Sequence, residues 1–207
     1  TYYRLFELYN LDIWPAQIAA LALGGAILLL LRRHEPWAGR IIAAILAAGW
    51  LFVAWEFHSK RYATINWAAT YFAAGFAAQS MLLIWTGVVS GHLRFRPGRD
   101  LTGRAGLCLF LFALALQPLI GPLLGRPWAQ AEIFGVAPDP TTVATLGLLL
   151  LAKGRVRWEL LLIPVLWAAI GGATLWTMGA PDAFVMPAAT ALVVALAGWR
   201  SLSARAR

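Results

Sequence analysis

The chain has 207 residues, of which 61% are hydrophobic and only 13% are charged, and its mean hydropathy is +0.71. A soluble domain carries about 25% charged residues, so this composition excludes an ordinary soluble protein and predicts a membrane protein. The net charge of +8 does not predict nucleic-acid binding, because the basic residues fall in loops between apolar stretches. Cys108 is the single cysteine, which excludes an intrachain disulfide and a dithiol redox site.

The N-terminal segment, residues 1–13, interleaves aromatic and charged residues. Aromatic rings prefer the headgroup level of a membrane, so this segment is predicted to form an aromatic interfacial helix on the outer surface, before the chain turns inward at Pro15. The first apolar run ends at Arg32 and Arg33 and is expected to act as a signal anchor rather than a cleaved signal peptide. A start at Thr1 rather than at methionine leads us to expect a processed N-terminus.

Residues 14–202 contain seven apolar stretches, which predict an all-α, polytopic transmembrane bundle of seven spans. A bilayer core about 30 Å thick needs about 20 helical residues. The predicted spans are 14–31, 38–55, 66–89, 103–124, 141–152, 160–178 and 186–199.

Two spans have distinctive predicted ends or interiors. In the fourth, Pro118 and Pro122 are predicted to bend the helix. The fifth has twelve residues, about 18 Å of helix, and cannot cross a bilayer alone. It is predicted to be the short, irregular element of the bundle, entered through the turn at residues 138–140 with the preceding loop buried in protein. Asp139 is predicted to cap it, with Pro140 at the first helical position.

The distribution of basic residues predicts the orientation. With the N-terminus outside, the inner segments contain 13 of the 17 Lys and Arg residues, including Arg207, as the positive-inside rule requires for short loops. The C-terminus then lies inside, and residues 203–207 form a cytoplasmic basic tail. The basic inner surface is expected to contact anionic lipid.

Ionisable side chains are missing from the middle of every predicted span. Such groups usually carry proton and ion coupling, so a proton-driven pump is disfavoured. A retinal protein is disfavoured as well, because Lys60 and Lys153 both fall at loops. The histidines are isolated, which argues against a haem or zinc site, and His34 and His92 are interpreted as surface residues.

A set of polar residues is predicted at similar depth on the outer side. The six residues that are expected to share one outer vestibule are Gln17, Glu56, His58, Asn66, Gln117 and Asp139. The alternative is that each one caps a helix or meets water at the interface; Asn66, for example, can cap the third span. Gln79 lies about 20 Å deep, where its amide either bonds a neighbouring helix or belongs to the same ligand-binding set.

Several motifs along the chain resemble those of a bacterial inner-membrane family of unknown function, domain of unknown function 6064. The matching features are the run from Phe6 to Gln17, His58, Ile65 with Asn66, Gln79, the turn 138–142, Ile163 with Pro164, Trp167, and Gly171 with Gly172. The resemblance implies a multi-pass protein of the bacterial inner membrane. It implies no activity, but it suggests that the outer-side polar residues form one shared feature.

The functional expectation is a non-enzymatic membrane protein that binds or passes a small solute through the outer vestibule. The alternative is a non-catalytic accessory subunit of a larger membrane complex, in contact with a membrane-protein partner or a second copy of itself. A third reading is a lipid-modifying enzyme in which Glu56 and His58 act as acid and base. No metal ligand set is predicted, and the sequence assigns no cofactor.

Overall fold

The fold was analysed in a computed structural model that describes residues 2–33 and 35–205. His34, Arg207 and the end of the predicted tail 203–207 fall outside the described residues. The described residues form nine α-helices and a single isolated β-bridge, between Phe95 and Ala152. The helices are α1 Tyr2–Asp12, α2 Ala16–Leu30, α3 Pro36–Phe52, α4 Ala69–Leu83, α5 Leu101–Leu111, α6 Gln117–Leu123, α7 Pro138–Leu151, α8 Trp158–Thr177 and α9 Val185–Arg205.

Five helical segments are long and apolar enough to cross a membrane, which identifies an all-α membrane protein. They are Pro36–Thr64, Ala69–Val89, Leu101–Leu123, Trp158–Thr177 and Val185–Ala204. Helices α1 and α2 make a sixth candidate if they are counted together, although they meet at 87°. Helices α2 and α7 have 15 and 14 residues, so the count of seven spans and the orientation of the termini stay predictions.

Three of the long segments change from α to π geometry near one end. The π turns are Val53–Ser59 after α3, Ile84–Val89 after α4, and Phe112–Leu116 between α5 and α6. The last of these ends two residues before Pro118, which lacks the N–H that an α-helical bond would need. Proline is a common cause of irregular turns, and the bend predicted at Pro118 and Pro122 stays a prediction.

Helix α7 forms the centre of the bundle. All 14 of its residues are buried, as expected for a helix that is apolar on every side. Its closest neighbour is α5: a Cβ atom added to Gly147 would lie 2.7 Å from the carbonyl oxygen of Gly106. The two glycines therefore allow the backbones to touch. The fifth element is short and buried, as predicted, and the end of the preceding loop is buried too, at Phe134, Val136 and Ala137. The prediction that it is irregular is wrong, because Pro138–Leu151 is a continuous α-helix.

The predicted start of α7 is wrong in detail. The helix begins at Pro138, with Ala137 in the cap position and no side-chain cap, so Asp139 does not cap it. Instead, threonine side chains hold the entry. Thr141 Oγ1 accepts a hydrogen bond from the N–H of Gly135 at 2.9 Å and donates one to Ala137 O at 2.6 Å. This bonding leaves the carboxyl group of Asp139 available to α8.

The C-terminal end of α7 is closed by two other segments. The N–H of Arg96 donates to Leu151 O at 3.0 Å, and Arg200 Nη1 on α9 donates to Leu150 O at 3.1 Å. The last carbonyls of a helix have no partner within it, and leaving them unbonded in a buried position is costly. These bonds explain how so short a helix can end inside the bundle.

Candidate functional site

The N-terminal end of α7 lies against a small polar cavity, here called the acidic cavity. Its volume is about 20 Å³, which is room for one water-sized group. The polar residues that line it are Gln117, Arg126, Gln130, Glu132, Asp139 and Asp182. They come from α6, the 124–137 connection, α7 and the turn before α9, so the cavity is formed by segments distant in sequence.

Arg126 and Asp182 form a buried ion pair in the wall of this cavity. Arg126 Nη2 donates to Asp182 Oδ2, and the side chains are only 15% and 11% exposed. The guanidinium group also lies over the ring of Tyr3, with 4.2 Å between Cζ and the ring centroid. This cation–π contact ties the surface helix α1 to the cavity.

Asp139 is the most deeply buried carboxylic acid of the cavity, at 5% exposure. Its Oδ1 accepts a hydrogen bond from Trp167 Nε1 on α8 at 3.0 Å. A hydrogen bond that involves a charged group contributes about 1.5–3 kcal/mol, so Trp167 is the natural anchor of this carboxylate.

Several buried polar atoms of the cavity have no hydrogen-bond partner among the described residues. They are Gln117 Oε1, Arg126 Nε and Nη1, Glu132 Oε2 and Asp182 Oδ1. Leaving such an atom unsatisfied costs about 1–3 kcal/mol, and more when the group is charged. Buried polar groups are nearly always satisfied, so this concentration of donors and acceptors around one small space makes the cavity the candidate binding site.

The charges of the cavity favour a positively charged or protonated occupant. Three carboxyl groups, on Glu132, Asp139 and Asp182, face a single guanidinium group. Burial raises the pKa of Glu132 well above its usual value, and the neighbouring Asp139 and Asp182 raise it further, while Arg126 opposes the shift. The three acids therefore resist being ionised together.

Of the residues predicted for the vestibule, Gln117 and Asp139 line the acidic cavity. His58 lies elsewhere, inside an aromatic cluster. It is fully buried, with its ring centroid 4.5 Å from that of Phe76 and 4.9 Å from that of Trp167. Neither ring nitrogen has a hydrogen-bond partner among the described residues. Trp167 thus contacts His58 through its ring and Asp139 through its N–H.

Glu56, Asn66, Gln17 and Gln79 occupy four further environments. Glu56 is partly exposed and pairs with Lys60 at 2.8 Å. Asn66 Oδ1 accepts from the N–H of Ala68 at 3.0 Å, a local bond in the turn before α4. The helix begins at Ala69, with Ala68 in the cap position and no side-chain cap, so the prediction that Asn66 caps the third span is wrong.

The two glutamines bond backbone carbonyls. Gln17 Nε2 donates to Asn10 O at 2.7 Å across the corner between α1 and α2. Gln79 Nε2 donates to Leu160 O of α8 at 3.0 Å, which matches the predicted interhelical bond.

Sequence reasoning did not include Arg126, Gln130 and Asp182 in the site. One signal was present. Arg126 stands in a connection whose other charged residues, Glu132 and Asp139, are acidic. A basic residue in a connection between apolar segments, where its charged neighbours are acidic, is a candidate for an ion pair. Among the described residues, no group of three or more His, Cys, Asp or Glu side chains is arranged to hold a metal ion.

Comparison with known families places the whole chain in one family. The chain belongs to a family of unknown function, DUF6064, which it matches over residues 1–207. No curated protein and no solved structure matches it.

Proposed function

We propose that this DUF6064 protein is a multi-pass protein of the bacterial inner membrane that binds, and passes, a small cationic solute through the acidic cavity. In this proposal the chain has seven spans, with the N-terminus and the cavity outside and the C-terminus inside. The single observation that supports the proposal best is the group of unpartnered, buried polar atoms around the cavity. A solute supplies the partners that these atoms lack.

The size and charge of the cavity define the solute class. Its volume of about 20 Å³ admits one water-sized group, and its carboxyl groups outnumber its guanidinium group by three to one. An ammonium group meets both requirements, because it carries one positive charge and donates hydrogen bonds to carboxylate oxygens. The carbonyl of Gln117 adds a neutral acceptor.

Ammonium binding to the full-length protein in nanodiscs tests the proposal. Isothermal titration with ammonium chloride should show saturable binding, whereas tetramethylammonium, which exceeds the cavity, should not bind. Asp139→Asn keeps an acceptor for Trp167 but removes the charge, and should weaken binding more than about tenfold, since losing one partner of a buried charge pair costs about 2–5 kcal/mol. Glu159→Gln is the matched control. Glu159 forms an ion pair with Arg155 at a distance of 3.2 Å. Neither residue lines the cavity, so this variant should bind as the wild type does.

Equal affinities of Asp139→Asn and the wild type, or equal binding of both cations, would contradict the proposal. Passage requires a separate measurement. Uptake of labelled methylammonium into proteoliposomes at mildly acid pH should exceed that of protein-free vesicles and fall in Asp139→Asn.

An apolar groove favours a second candidate function, that of a non-catalytic accessory subunit. The groove has a volume of about 170 Å³ and lies between α2 and α3. Small residues line its walls, namely Ala16, Ala19, Ala20, Ala48 and Gly49. Such surfaces let transmembrane helices approach closely. In a Cys108→Ser background, Ala19→Cys should then crosslink to a partner chain in native membranes, whereas exposed Met81→Cys on α4 should not.

A further inference from the structure

A second polar cavity lies at the other end of α7, here called the basic end. Its volume is about 100 Å³, and its charged lining residues are Arg96, Asp100, Lys153 and Arg200. Three cations and one acid line this space, so it carries a net charge of +2 when all are ionised. The acidic cavity and the basic end are therefore opposite in charge, and the 14 residues of α7 separate them.

Backbone pairing fixes the segments that carry two of these cations. The β-bridge between Phe95 and Ala152 is flanked by two hydrogen bonds. The N–H of Arg96 donates to Leu151 O at 3.0 Å, and the N–H of Lys153 donates to Arg94 O at 2.9 Å. The side chains of Arg96 and Lys153 take no part in this pairing and project from a rigid frame. Neither one forms an ion pair within the described part of the chain.

Arg200 completes the wall from α9. Its Nη1 donates to Leu150 O at 3.1 Å and its Nη2 to Gly154 O at 3.4 Å, so the guanidinium group is held in place by the end of α7. Its Nε is buried and has no partner among the described residues. Its two hydrogen bonds are to neutral carbonyls, and Asp100 is the single acid in the cavity lining. The charge of Arg200 is therefore only partly compensated, and its guanidinium group can also bind an anion.

A second space adjoins the first one. It has a volume of about 320 Å³, shares Gly154 and Arg200 with the first cavity, and is also lined by Arg155, Trp158 and Ser201. Trp158 is exposed and begins an apolar helix of membrane length. Tryptophan at such a position favours the headgroup level of a bilayer. An amphiphile with its anion beside Arg200 can thus lay its next atoms against Trp158.

We infer that the basic end holds the phosphate group of an anionic phospholipid between Arg96, Lys153 and Arg200, with the glycerol part beside Trp158. The chemistry is that of basic pockets between membrane helices that hold lipid phosphates. Arginine and lysine both donate charge-assisted hydrogen bonds to phosphate oxygens.

Lipid retention measured by native mass spectrometry tests this inference. The full-length protein, in detergent, is mixed with phosphatidylglycerol or phosphatidylcholine at about 0.5 M salt, which screens exposed charges within a few ångströms. The wild type should retain phosphatidylglycerol at least tenfold better than phosphatidylcholine. Arg96→Gln/Lys153→Gln should lose about thirtyfold in affinity for phosphatidylglycerol, from about 1 kcal/mol per basic residue.

The matched control is Arg32→Gln/Arg33→Gln. It removes two exposed basic residues after α2 that do not line the cavity, and it should retain phosphatidylglycerol as the wild type does. Because the pairing of Arg96 and Lys153 uses backbone atoms only, unchanged thermal unfolding of the double variant in lipid-free detergent will show that the fold persists. Equal losses in the two double variants, or equal retention of both lipids by the wild type, would overturn the inference. Displacement of phosphatidylglycerol by millimolar inorganic phosphate would overturn the assignment to a lipid and indicate a site for free phosphate.

Discussion

The acidic cavity and the aromatic cluster around His58 are neighbours, since Trp167 contacts both. They differ in the kind of group that surrounds the buried polar side chain. Around His58 the nearest groups are rings, with centroids 4.5–6.1 Å away on Phe57, Tyr62, Phe72, Phe76 and Trp167. Asp139 instead accepts a hydrogen bond from the indole N–H of Trp167 and lines a cavity together with charged and amide side chains.

This difference shows that the depth of a residue along its helix does not fix the direction in which its side chain points. His58 and Asp139 are both buried polar residues near the same end of the bundle. An imidazole N–H can point at ring faces, a weak but real interaction, whereas a carboxylate cannot. The unpartnered atoms around the acidic cavity include charged groups from three residues, whereas those of the aromatic cluster are the two nitrogens of one ring, so the cavity has the greater need of a polar occupant.

The largest expected effect is on the buried ion pair of the cavity. Arg126→Ala should lower the free energy of unfolding by about 3–5 kcal/mol, because it leaves Asp182 buried without its partner. Arg4→Ala is the control: Arg4 pairs with Glu7 on the exposed face of α1, and surface pairs contribute about 0–1 kcal/mol. Reversible unfolding in mixed micelles measures both. Similar small losses would mean that the cavity is wet and open rather than built around a buried pair.

The indole of Trp167 should be the next most sensitive group. Trp167→Phe keeps a ring against His58 but removes the donor to Asp139, at an expected cost of about 2–3 kcal/mol. Trp50→Phe removes a comparable bond, from Nε1 to Thr145 Oγ1 at 2.8 Å, but its partner is neutral, so the expected cost is about 1 kcal/mol. The same unfolding assay ranks the two variants. The reverse order would show that Asp139 is not a charged partner of Trp167.

Glu132 should give the cavity a pH dependence. The pKa of Glu132 is higher in the folded state, so the folded state binds this proton more tightly than the unfolded state. Its contribution to stability is complete below the unfolded pKa of about 4.3 and declines as the pH rises toward the folded pKa.

Glu132→Gln imitates the protonated form and should therefore flatten the fall in stability above that pH, by up to about 1.4 kcal/mol per pH unit within the window. Thermal unfolding across a pH series measures this, with Glu159→Gln as the control. Parallel curves of stability against pH for the wild type and Glu132→Gln would mean that Glu132 is not buried beside the other acids of the cavity.

The smallest effect is expected at His58. His58→Phe replaces one ring by another of similar size and removes two nitrogens without hydrogen-bond partners, so the free energy of unfolding should change by less than about 1 kcal/mol, or increase. A loss above about 2 kcal/mol would place a polar partner in the aromatic cluster and erase its contrast with the cavity.

Much of the helix pattern could be predicted from the sequence because apolar length sets it. The short, buried α7 followed from twelve apolar residues that cannot cross a bilayer. Its exact start could not be predicted, because Asp139 and Thr141 both suit a helix entrance and only tertiary contact with Trp167 decides between them. Because Thr141 makes the hydrogen bonds at the start of the helix, the side chain of Asp139 is available to line the cavity.

The depth of the site residues along their helices could be predicted from the sequence, but the directions in which their side chains point could not. Glu56 and His58 are two residues apart, so their side chains leave a helix on different faces. One pairs with Lys60 at the surface and the other enters the aromatic cluster. Gln117 and Asp139 line one cavity because α6 and α7 both begin at it, a long-range arrangement that has no local sequence signal. The same holds for Arg126 and Asp182, which lie 56 positions apart.

The most direct test of the account is the reactivity of single cysteines placed at Gln117 and at His58. In a Cys108→Ser background, each variant is exposed in nanodiscs to a small cationic thiosulfonate reagent, with and without ammonium chloride. If the acidic cavity is the site that a cationic solute enters, Gln117→Cys is modified, ammonium slows its modification, and His58→Cys does not react. Modification of His58→Cys at an equal or greater rate, or modification of Gln117→Cys that ammonium does not slow, would contradict the account.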